Sequence, residues 1–433
     1  MSHSPDTLLT RRIIILGSTG SIGTQALEVI AHVNDLAKIK KSPIRFEVVG
    51  LAAKKNAHLL AEQARRFNVR NVSLTSVEAT LDSNALPPSC KCYFGSNAAE
   101  SLVRNVDCDI VLAAMVGSAG IPATLAAIES NKPVALANKE TLVAAGAIVA
   151  EALSVRRGRS AIFPVDSEHA GLWQCVTDTT IIADDSETTT DICKSVQQLI
   201  AWAPPFVRTE TVRKAILTAS GGPFRTWPKD KIESATPEQA QNHPTWNMGA
   251  KVTIDSASLM NKALELIEAH WLFGLPAKKL DVLIHPQSIV HAIAEFADGS
   301  SIAQLAPPDM KLPIQRAICW PLTLDGASRR MSWSQMKSLE FETPDLTRFP
   351  ALGLAYKVLE LGGNAGATFN AANEEAVAAF LARKISFGAI PRVVEAALDD
   401  CTHGPVNTLD DVWRAESAAR EFVKERISRG KAM

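Results

Sequence analysis

The first third of the chain alternates short apolar runs with longer stretches of helical periodicity, and this alternation restricts the fold more than any other feature. The apolar runs predict strands at Arg12–Leu16, Arg45–Leu51, Asp109–Val116 and Lys132–Ala137. The stretches between them predict helices at Ile22–Val33, Ala57–Phe67, Ala123–Ser130 and Lys139–Leu153. Strands and helices that alternate in this way form doubly wound parallel α/β sheets. The alternation ends near Phe163, so we expect a first domain at residues 1–165.

The rest of the chain has a different pattern. It predicts a helix at Ser256–Phe273, and a hairpin in which Asp298-Gly299 joins Ile289–Phe296 to Ser301–Leu305. Ala-rich stretches near the end predict helices at Leu352–Leu361, Ala371–Arg383, Ala389–Leu398 and Asp410–Arg426. We therefore expect an α+β domain at residues 166–320, a linker at 321–349 and a C-terminal α-helical bundle at 350–433.

Two segments of the second domain predict loops. Asp184–Asp191 is acidic and Thr-rich, which is typical of an exposed loop. Thr218–Asn247 contains Gly, Pro and Trp with weak periodicity, which indicates a mobile loop that buries little.

The charge balance excludes some classes of partner. The 433 residues carry a formal net charge of -1, so no global basic field attracts nucleic acid or anionic lipid, and any anion site is local. Ile110–Ile128 is uncharged and nearly long enough to span a membrane, but Gly117, Gly120 and Pro122 interrupt it. A strand, a turn and a helix explain this segment better than a membrane span.

The cysteines and the N-terminus predict a cytoplasmic location. The cysteines are odd in number and irregularly spaced, namely Cys90, Cys92, Cys108, Cys175, Cys193, Cys319 and Cys401. This pattern is typical of thiols in a reducing compartment rather than of a disulfide framework or a zinc site. Residues 1–12 are polar and the apolar run that follows is too short for a signal peptide.

A glycine-rich turn follows the first predicted strand. Gly17, Gly20 and Gly23 give the spacing GxxGxxG between a strand and a helix. Glycines at this place permit a tight turn and a close approach of the backbone to a pyrophosphate at the helix N-terminus. The turn therefore predicts a Rossmann-like dinucleotide site, with a purely structural turn as the alternative.

Cations follow the second predicted strand, where NAD enzymes usually have an acid for the ribose hydroxyl. Lys54, Lys55 and Asn56 stand there instead and favour the 2′-phosphate of NADP, although a solvated helix start is the alternative. Asn138-Lys139-Glu140 follows another strand of the same sheet. It indicates either a ligand contact or a capped helix start.

Carboxylates in two segments predict a metal site. Asp166 and Glu168 end an apolar strand, and an extended chain would point both to one face. Glu265 lies on the predicted helix Ser256–Phe273, in one stripe with Ser258, Asn261 and Lys262. All-oxygen ligands suit Mg²⁺ or Mn²⁺. The alternatives are a helix cap at Asp166 and a solvated polar face for the stripe.

Groups that bind anions are also present. The turn after Thr218 contains Ser220, Gly221 and Gly222, whose amides and hydroxyl suit a phosphate. Asp255-Ser256 opens the predicted helix, so we expect Ser256 at the positive end of its dipole.

Motifs in chain order carry a resemblance to a known family. They are GSTGSIG, ALANKE, PVDSEH, TASGGPF, HPTW, MNKALELIEA and HPQSIVHA. With them the chain, from about Arg12 onward, resembles the 1-deoxy-D-xylulose 5-phosphate reductoisomerases. The resemblance implies an NADPH- and divalent-metal-dependent homodimer that is inhibited by fosmidomycin-type phosphonates. The reaction it implies converts the substrate into 2-C-methyl-D-erythritol 4-phosphate, a precursor of isoprenoids.

The resemblance also implies roles for residues at the matching positions. Residues expected to bind NADPH are Thr19, Gly20, Ser21, Ile22, Lys55, Asn56, Asn138, Glu140 and Gly249. Asp166, Glu168 and Glu265 are expected to bind Mg²⁺ or Mn²⁺. Residues expected to bind the sugar phosphate are Lys139, Ser167, Glu168, Ser220, His243, Ser256, Asn261, Lys262 and Glu265. We expect Lys139, Asp166, Glu168, His243 and Glu265 to take part in catalysis, and a flap at 220–249 with Trp246 to close over the site.

Two departures from the family pattern are visible. Lys54 stands where the family commonly has Gly, and we expect this added cation to contact NADPH. Thr177–Lys194 is longer than in many relatives, and nothing in the sequence assigns it a function.

The implied chemistry is a rearrangement followed by hydride transfer. The metal would chelate the carbonyl and hydroxyl oxygens of the substrate as a Lewis acid, and NADPH would reduce the resulting aldehyde. The route stays open between a retro-aldol sequence and a 1,2-shift. Two rival readings remain, which are an aldehyde- or semialdehyde-type NADP dehydrogenase without a metal and a non-enzymatic NADPH-sensing module with a structural metal.

Overall fold

The computed structural model describes residues 8–76, 78–177, 203–204, 209–246 and 248–430. The chain divides into two compact units. The first consists of residues 1–138, 151–208 and 309–329, and the second of residues 139–150, 209–308 and 330–433. No helix in the described part is long and apolar enough to cross a membrane. The predicted acidic loop Asp184–Asp191 and most of the Thr177–Lys194 segment lie outside the described residues.

The strands and helices are numbered along the chain. The strands are β1 Leu9–Leu16, β2 Ile44–Ala53, β3 Asn71–Leu74, β4 Lys91–Phe94, β5 Ile110–Ala113, β6 Val134–Leu136, β7 Ile162–Pro164, β8 Val212–Ala219, β9 Leu280–Ile284, β10 Val290–Phe296 and β11 Ser301–Leu305. The helices up to the middle of the chain are α1 Ser21–Lys38, α2 Ala57–Arg66, α3 Ala98–Asn105, α4 Ile121–Glu129, α5 Glu140–Val155, α6 Ser167–Val176, α7 Lys229–Glu233 and α8 Pro237–Ala240. The later helices are α9 Ala250–Ala257, α10 Met260–Phe273, α11 Lys311–Cys319, α12 Ala351–Leu361, α13 Ala365–Leu381, α14 Ala389–Asp400 and α15 Leu409–Ser428.

The first unit is built on a seven-stranded sheet in the order β4-β3-β2-β1-β5-β6-β7, and its strand pairs are parallel. The run Ile13–Leu16 of the central strand β1 is fully buried, because helices cover both faces of such a sheet. The predicted doubly wound fold is confirmed. Among the elements that the predictions missed are β3, β4 and α3, because two four-residue strands and a two-turn helix give little periodicity.

The strand order reverses between β1 and β5, which are neighbours at the centre of the sheet. Ligands of doubly wound sheets bind at the carboxyl ends of the strands at such a switch point. The glycine-rich turn follows β1 directly, so the fold places it at the switch point.

The second unit contains a four-stranded sheet in the order β11-β10-β8-β9 and the C-terminal helices. The predicted hairpin is confirmed, because β10 and β11 pair antiparallel around Gly299, whose φ is 87°. The predicted C-terminal helices are confirmed as α12–α15, although α13 begins at Ala365 rather than at Ala371. α13 is alanine-rich, and its residues Ala367, Ala371 and Ala376 are fully buried.

The prediction of one continuous helix at Ser256–Phe273 is wrong. α9 ends at Ala257 and α10 begins at Met260, because Leu259 adopts a left-handed conformation with φ of 61°. The Ser258 hydroxyl accepts from Met260 N at 3.4 Å and donates to Asp255 O at 3.2 Å, so it bonds to both sides of the break. Ser256 consequently lies in the last turn of α9, at the carbonyl end of a helix and not at its positive end.

Candidate functional site

The glycine-rich turn of the first unit has no room for side chains at two of its glycines. Gly17 has φ of 83°, and a Cβ there would lie 2.4 Å from Ala114 O. A Cβ on Gly23 would lie 2.4 Å from Gly17 O. Gly20 is the N-cap of α1 and carries no side chain to cover the first amides of the helix. The turn therefore presents bare backbone at a helix N-terminus, which fits a pyrophosphate.

The polar residues after β2 and β6 lie at the same edge of the sheet. Lys54, Lys55 and Asn56 are exposed, and Asn56 Oδ1 accepts from Leu59 N at 3.1 Å as the cap of α2. Asn138 is buried and donates from Nδ2 to Gly117 O at 2.9 Å, which ties the end of β6 to the loop after β5. Asn138 thus joins the segments that follow β5 and β6 at the carboxyl edge of the sheet.

The carboxylates after β7 lie at a helix start. Asp166 caps α6, since its Oδ1 accepts from Glu168 N at 3.2 Å, and Glu168 lies in the first helical turn. Ser167 Oγ donates to Glu168 Oε2 at 2.6 Å, and the buried His169 Nδ1 lies 3.1 Å from Asp166 Oδ1. The expectation of an extended segment at 166–168 is wrong, because capping begins the helix there. Both carboxylates stay partly exposed.

The Glu265 carboxylate in the second unit is surrounded by two lysines and an asparagine. Glu265 is 2% exposed, and Lys139 Nζ donates to its Oε1 at 2.8 Å. Lys262 pairs with Oε2, and Asn261 Nδ2 donates to Oε1. Lys139 also donates to Asn261 Oδ1 at 3.1 Å. The alternative of a solvated polar stripe is wrong, because Lys262 and Glu265 are buried.

Two serines and a histidine form a second polar group of this unit. His243 Nε2 lies 3.2 Å from Ser220 Oγ and 3.0 Å from Ser256 Oγ. His243 Nδ1 accepts from the backbone amides of Thr245 at 3.1 Å and Trp246 at 2.9 Å. An imidazole nitrogen that accepts two hydrogen bonds carries no proton, so the proton of the neutral ring is on Nε2. Burial lowers the pKa of His243, which favours this neutral form.

The segment predicted as a flap, residues 220–249, contains buried residues. Phe224 is fully buried and contacts the Phe387 ring at 5.0 Å, and Ile232 and Ala240 are buried on α7 and α8. Thr236 forms a capping box with Gln239 at the start of α8. The expectation that residues 220–249 bury little is therefore wrong for 224–240. The local sequence does not indicate this burial, because the ring that packs on Phe224 belongs to Phe387, which is distant in the chain.

Sequence reasoning also missed a buried ion network in the second unit. Lys251 Nζ lies 2.8 Å from Asp255 Oδ2 and 3.5 Å from Glu140 Oε1. Asn373 Nδ2 donates to Asp255 Oδ1 at 3.0 Å. The one local signal was a lysine in the first turn of a helix with an acid four residues later, which is also the pattern of a surface pair.

A doubly wound sheet with a bare glycine turn at its switch point, followed by polar and acidic residues at the strand ends, defines a dinucleotide-dependent α/β oxidoreductase. The 1-deoxy-D-xylulose 5-phosphate reductoisomerase of Paraburkholderia xenovorans is 42% identical over 425 residues, which cover 97% of this chain and 97% of the relative. The chain belongs to the 1-deoxy-D-xylulose 5-phosphate reductoisomerase family, and the resemblance found in its motifs is confirmed.

A second relative and three family models support the same family assignment. The Mycobacterium tuberculosis reductoisomerase is 44% identical over 421 residues, covering 96% of this chain and 91% of the relative. Family models match residues 13–146 (1-deoxy-D-xylulose 5-phosphate reductoisomerase), 162–273 (its C-terminal domain) and 305–422 (DXP reductoisomerase C-terminal domain).

Solved structures give the same result. The Zymomonas mobilis enzyme in complex with NADPH has a TM-score of 0.82 at 37% identity, covering 96% of this chain and 99% of that chain. A DOX-P reductoisomerase in complex with NADPH, fosmidomycin and magnesium has a TM-score of 0.82 at 33% identity, covering 97% and 99%.

Proposed function

We propose specific roles for the residues of this chain in the reaction of its family. The reaction is the NADPH- and divalent-metal-dependent rearrangement and reduction of 1-deoxy-D-xylulose 5-phosphate to 2-C-methyl-D-erythritol 4-phosphate. The observation that carries the proposal is the cluster of Lys139, Asn261 and Lys262 around the buried Glu265 carboxylate. Such a cluster combines an oxygen ligand for a cation with positive charge for a phosphorylated sugar.

NADPH is proposed to bind at the switch point of the first unit. The backbone of Thr19–Ile22, where Gly20 carries no side chain, would face the pyrophosphate, and Lys54 and Lys55 would face the 2′-phosphate. Asn138 would fix the crevice wall, and Asn56, Glu140 and Gly249 complete the proposed set. The support is the absence of space for a Cβ at Gly17 and Gly23 together with the relatives solved with NADPH.

Mg²⁺ or Mn²⁺ is proposed to bind Asp166, Glu168 and Glu265. All donors are carboxylate oxygens, which fits hard divalent cations, and relatives have been solved with magnesium. When bound, the metal supplies a Lewis acid for the carbonyl and hydroxyl oxygens of the substrate. Asp166 and Glu168 are oriented by the start of α6, and Glu265 is oriented by Lys139 and Lys262.

The substrate is proposed to bind among hydroxyl, amide and ammonium donors. Ser220, Ser256 and the Nε2–H of His243 form one group of donors, and Asn261, Lys262, Lys139 and Ser167 supply the others. These groups stabilise the charges of a phosphorylated sugar, and Trp246 covers it when the loop closes and excludes water.

Assembly and location are proposed as well. β11 is an edge strand whose residues Ser301–Ala303 are exposed, and Ile302 is 49% exposed, which suits an interface between two copies in a homodimer. Ile302→Lys would then convert dimers to monomers in light scattering. The thiols of Cys108, Cys175 and Cys319 are buried and form no disulfide within the described residues, which fits the proposed cytoplasmic location. The division into NADPH domain, catalytic domain, linker and helical domain stays a prediction.

The direct test of the proposed function is NADPH oxidation with 1-deoxy-D-xylulose 5-phosphate, with and without Mg²⁺. We expect turnover only when both the sugar phosphate and the metal are present, with 2-C-methyl-D-erythritol 4-phosphate as the product. Turnover in a metal chelator would favour a metal-independent dehydrogenase. NADPH binding with no oxidation under any of these conditions would favour a sensing module.

A further inference from the structure

The buried ion network at the start of α9 joins three helices of the second unit. Lys251 and Asp255 are on α9, Glu140 is the first residue of α5, and Asn373 is on α13. Glu140 is 7% exposed, Asp255 1% and Asn373 is fully buried, whereas the Lys251 side chain is 22% exposed. The Lys251 ammonium group lies between the two carboxylates, at 2.8 Å from Asp255 Oδ2 and 3.5 Å from Glu140 Oε1.

This ion network is expected to add little to the free energy of unfolding. A lysine in the first turn of a helix opposes the helix dipole, and a buried ion pair is often no more stabilising than well-packed apolar residues. Burial lowers the pKa of Lys251, but the carboxylates of Asp255 and Glu140 outweigh burial and raise it, so Lys251 is charged. The ion network therefore holds the Glu140 carboxylate in one place. We expect its net contribution to the free energy of unfolding to be small.

We propose that Lys251 is a positioning residue that holds the Glu140 carboxylate in the orientation in which it contacts NADPH. The Asp255 carboxylate pairs with the ammonium group, and Asn373 on α13 donates a hydrogen bond to that carboxylate. The position of Lys251 fits this role, since it lies two residues after Gly249, the N-cap of α9. The inference rests on the proposed assignment of Glu140 to the cofactor.

A structural role and a positioning role differ in their effects. Lys251→Met alone leaves the buried Asp255 carboxylate unpaired and is expected to destabilise the protein. The double variant Lys251→Met/Asp255→Asn removes both charges of the closer pair, so we expect it to be less destabilised than Lys251→Met, while Glu140 still loses its partner. Lys251→Arg keeps the charge and is expected to restore function in part. Lys214→Met, which breaks the partly exposed pair between Lys214 and Asp281 on β8 and β9, is the matched control.

The experiment measures the Kd of NADPH by fluorescence, the KM values for NADPH and substrate, kcat and the Tm. For Lys251→Met/Asp255→Asn we expect the Kd and KM of NADPH to rise about tenfold, with KM for the sugar phosphate and kcat changing less than threefold. Lys251→Arg should show a smaller rise, and Lys214→Met none. In a Glu140→Gln background the double change should add little, because both changes act through one carboxylate.

Two results overturn the inference and separate its causes. If Glu140→Gln weakens NADPH binding but the folded double variant binds NADPH normally, Lys251 does not position Glu140, and the assignment of Glu140 stands. If Glu140→Gln itself binds NADPH normally, the assignment of Glu140 to the cofactor is wrong, and the inference falls with it.

Discussion

Lys139 Nζ and Glu265 Oε1 lie 2.8 Å apart although the two residues are 126 positions apart in the chain. Lys139 precedes α5 and Glu265 is in the second turn of α10. The pair is shielded from water, with side-chain exposures of 14% and 2%. Because Lys262 also pairs with this carboxylate, Glu265 balances the charges of two ammonium groups, which we propose bind the phosphorylated substrate.

The first prediction is that Glu265→Gln abolishes turnover without unfolding the protein. Glutamine keeps the shape but loses the charge, so a divalent cation loses one proposed ligand and Lys139 and Lys262 lose their counter-charge. We expect kcat/KM to fall at least about 100-fold, while NADPH binding stays normal. Glu295→Gln, at a surface pair with Arg213, is the control. Near-normal activity at low micromolar Mn²⁺ would contradict the proposed role of Glu265.

The second prediction concerns cofactor choice. Lys55 is exposed directly after β2, where its charge suits the 2′-phosphate. We expect kcat/KM to be higher with NADPH than with NADH, and Lys55→Glu to narrow or reverse this preference. Lys41→Glu makes the same change in charge before β2, at the opposite end of that strand, and should leave the preference intact. Equal use of both cofactors by the unchanged protein would refute the role of Lys55.

The features that could be predicted are those written in local patterns. The apolar run Ile13–Leu16, the turn at Gly17 and the hairpin at Gly299 each depend on neighbours in sequence, and each was found. The helix break at Leu259 was not predicted, because nothing in the sequence indicates that a leucine adopts a left-handed backbone conformation. Placing Ser256 at the wrong end of a helix followed from that single missed residue.

Contacts between distant segments were the other limit. Asn373 is separated from Asp255 by 118 positions, and nothing near either residue indicates their hydrogen bond. The buried state of Lys262 and Glu265 was equally hidden, since an i, i+3 pair of opposite charges has the same pattern on a surface. Burial is a property of the packed fold and not of the local sequence.

The third prediction is that His243 is neutral at pH 7.5, with its proton on Nε2. Nδ1 accepts two backbone amides, so protonating it would direct an N–H at two other N–H groups. Burial lowers the pKa of His243 from its ordinary value of 6.5. The free energy of unfolding gained from the neutral ring is therefore fully present above pH 6.5 and is lost as the pH falls through the folded-state pKa.

An NMR titration of the imidazole nitrogens measures both the tautomer and the pKa. We expect a pKa below 6.5, and we expect His243→Gln to remove this component of the acid-induced loss of stability. His58→Gln, an exposed histidine in α2, is the control and should leave the pH profile unchanged. A proton on Nδ1, or a pKa above 6.5, would contradict the assignment.

The fourth prediction separates the flap into a fixed base and a closing tip. The base is tied to the C-terminal region by the ring contact of Phe224 with Phe387 and by the pairs Glu233–Arg392 and Glu238–Arg383. Buried aromatic and apolar residues of this kind protect backbone amides from exchange. The amides of α7 and α8 should therefore be protected whether or not ligand is present.

The tip at 241–249 has weaker anchoring, since His243 and Trp246 are only partly buried and Gly249 is exposed. We expect amides around His243–Trp246 to gain protection from hydrogen exchange when NADPH and a phosphonate inhibitor bind. Trp246→Ala should raise the KM of the sugar phosphate and lower kcat together, because closure both holds the substrate and completes the site. Trp333→Ala, an exposed tryptophan outside the flap, should change neither. If the tip is equally protected in the free and liganded protein, it is a static wall, and the ring of Trp246 acts without any closing motion.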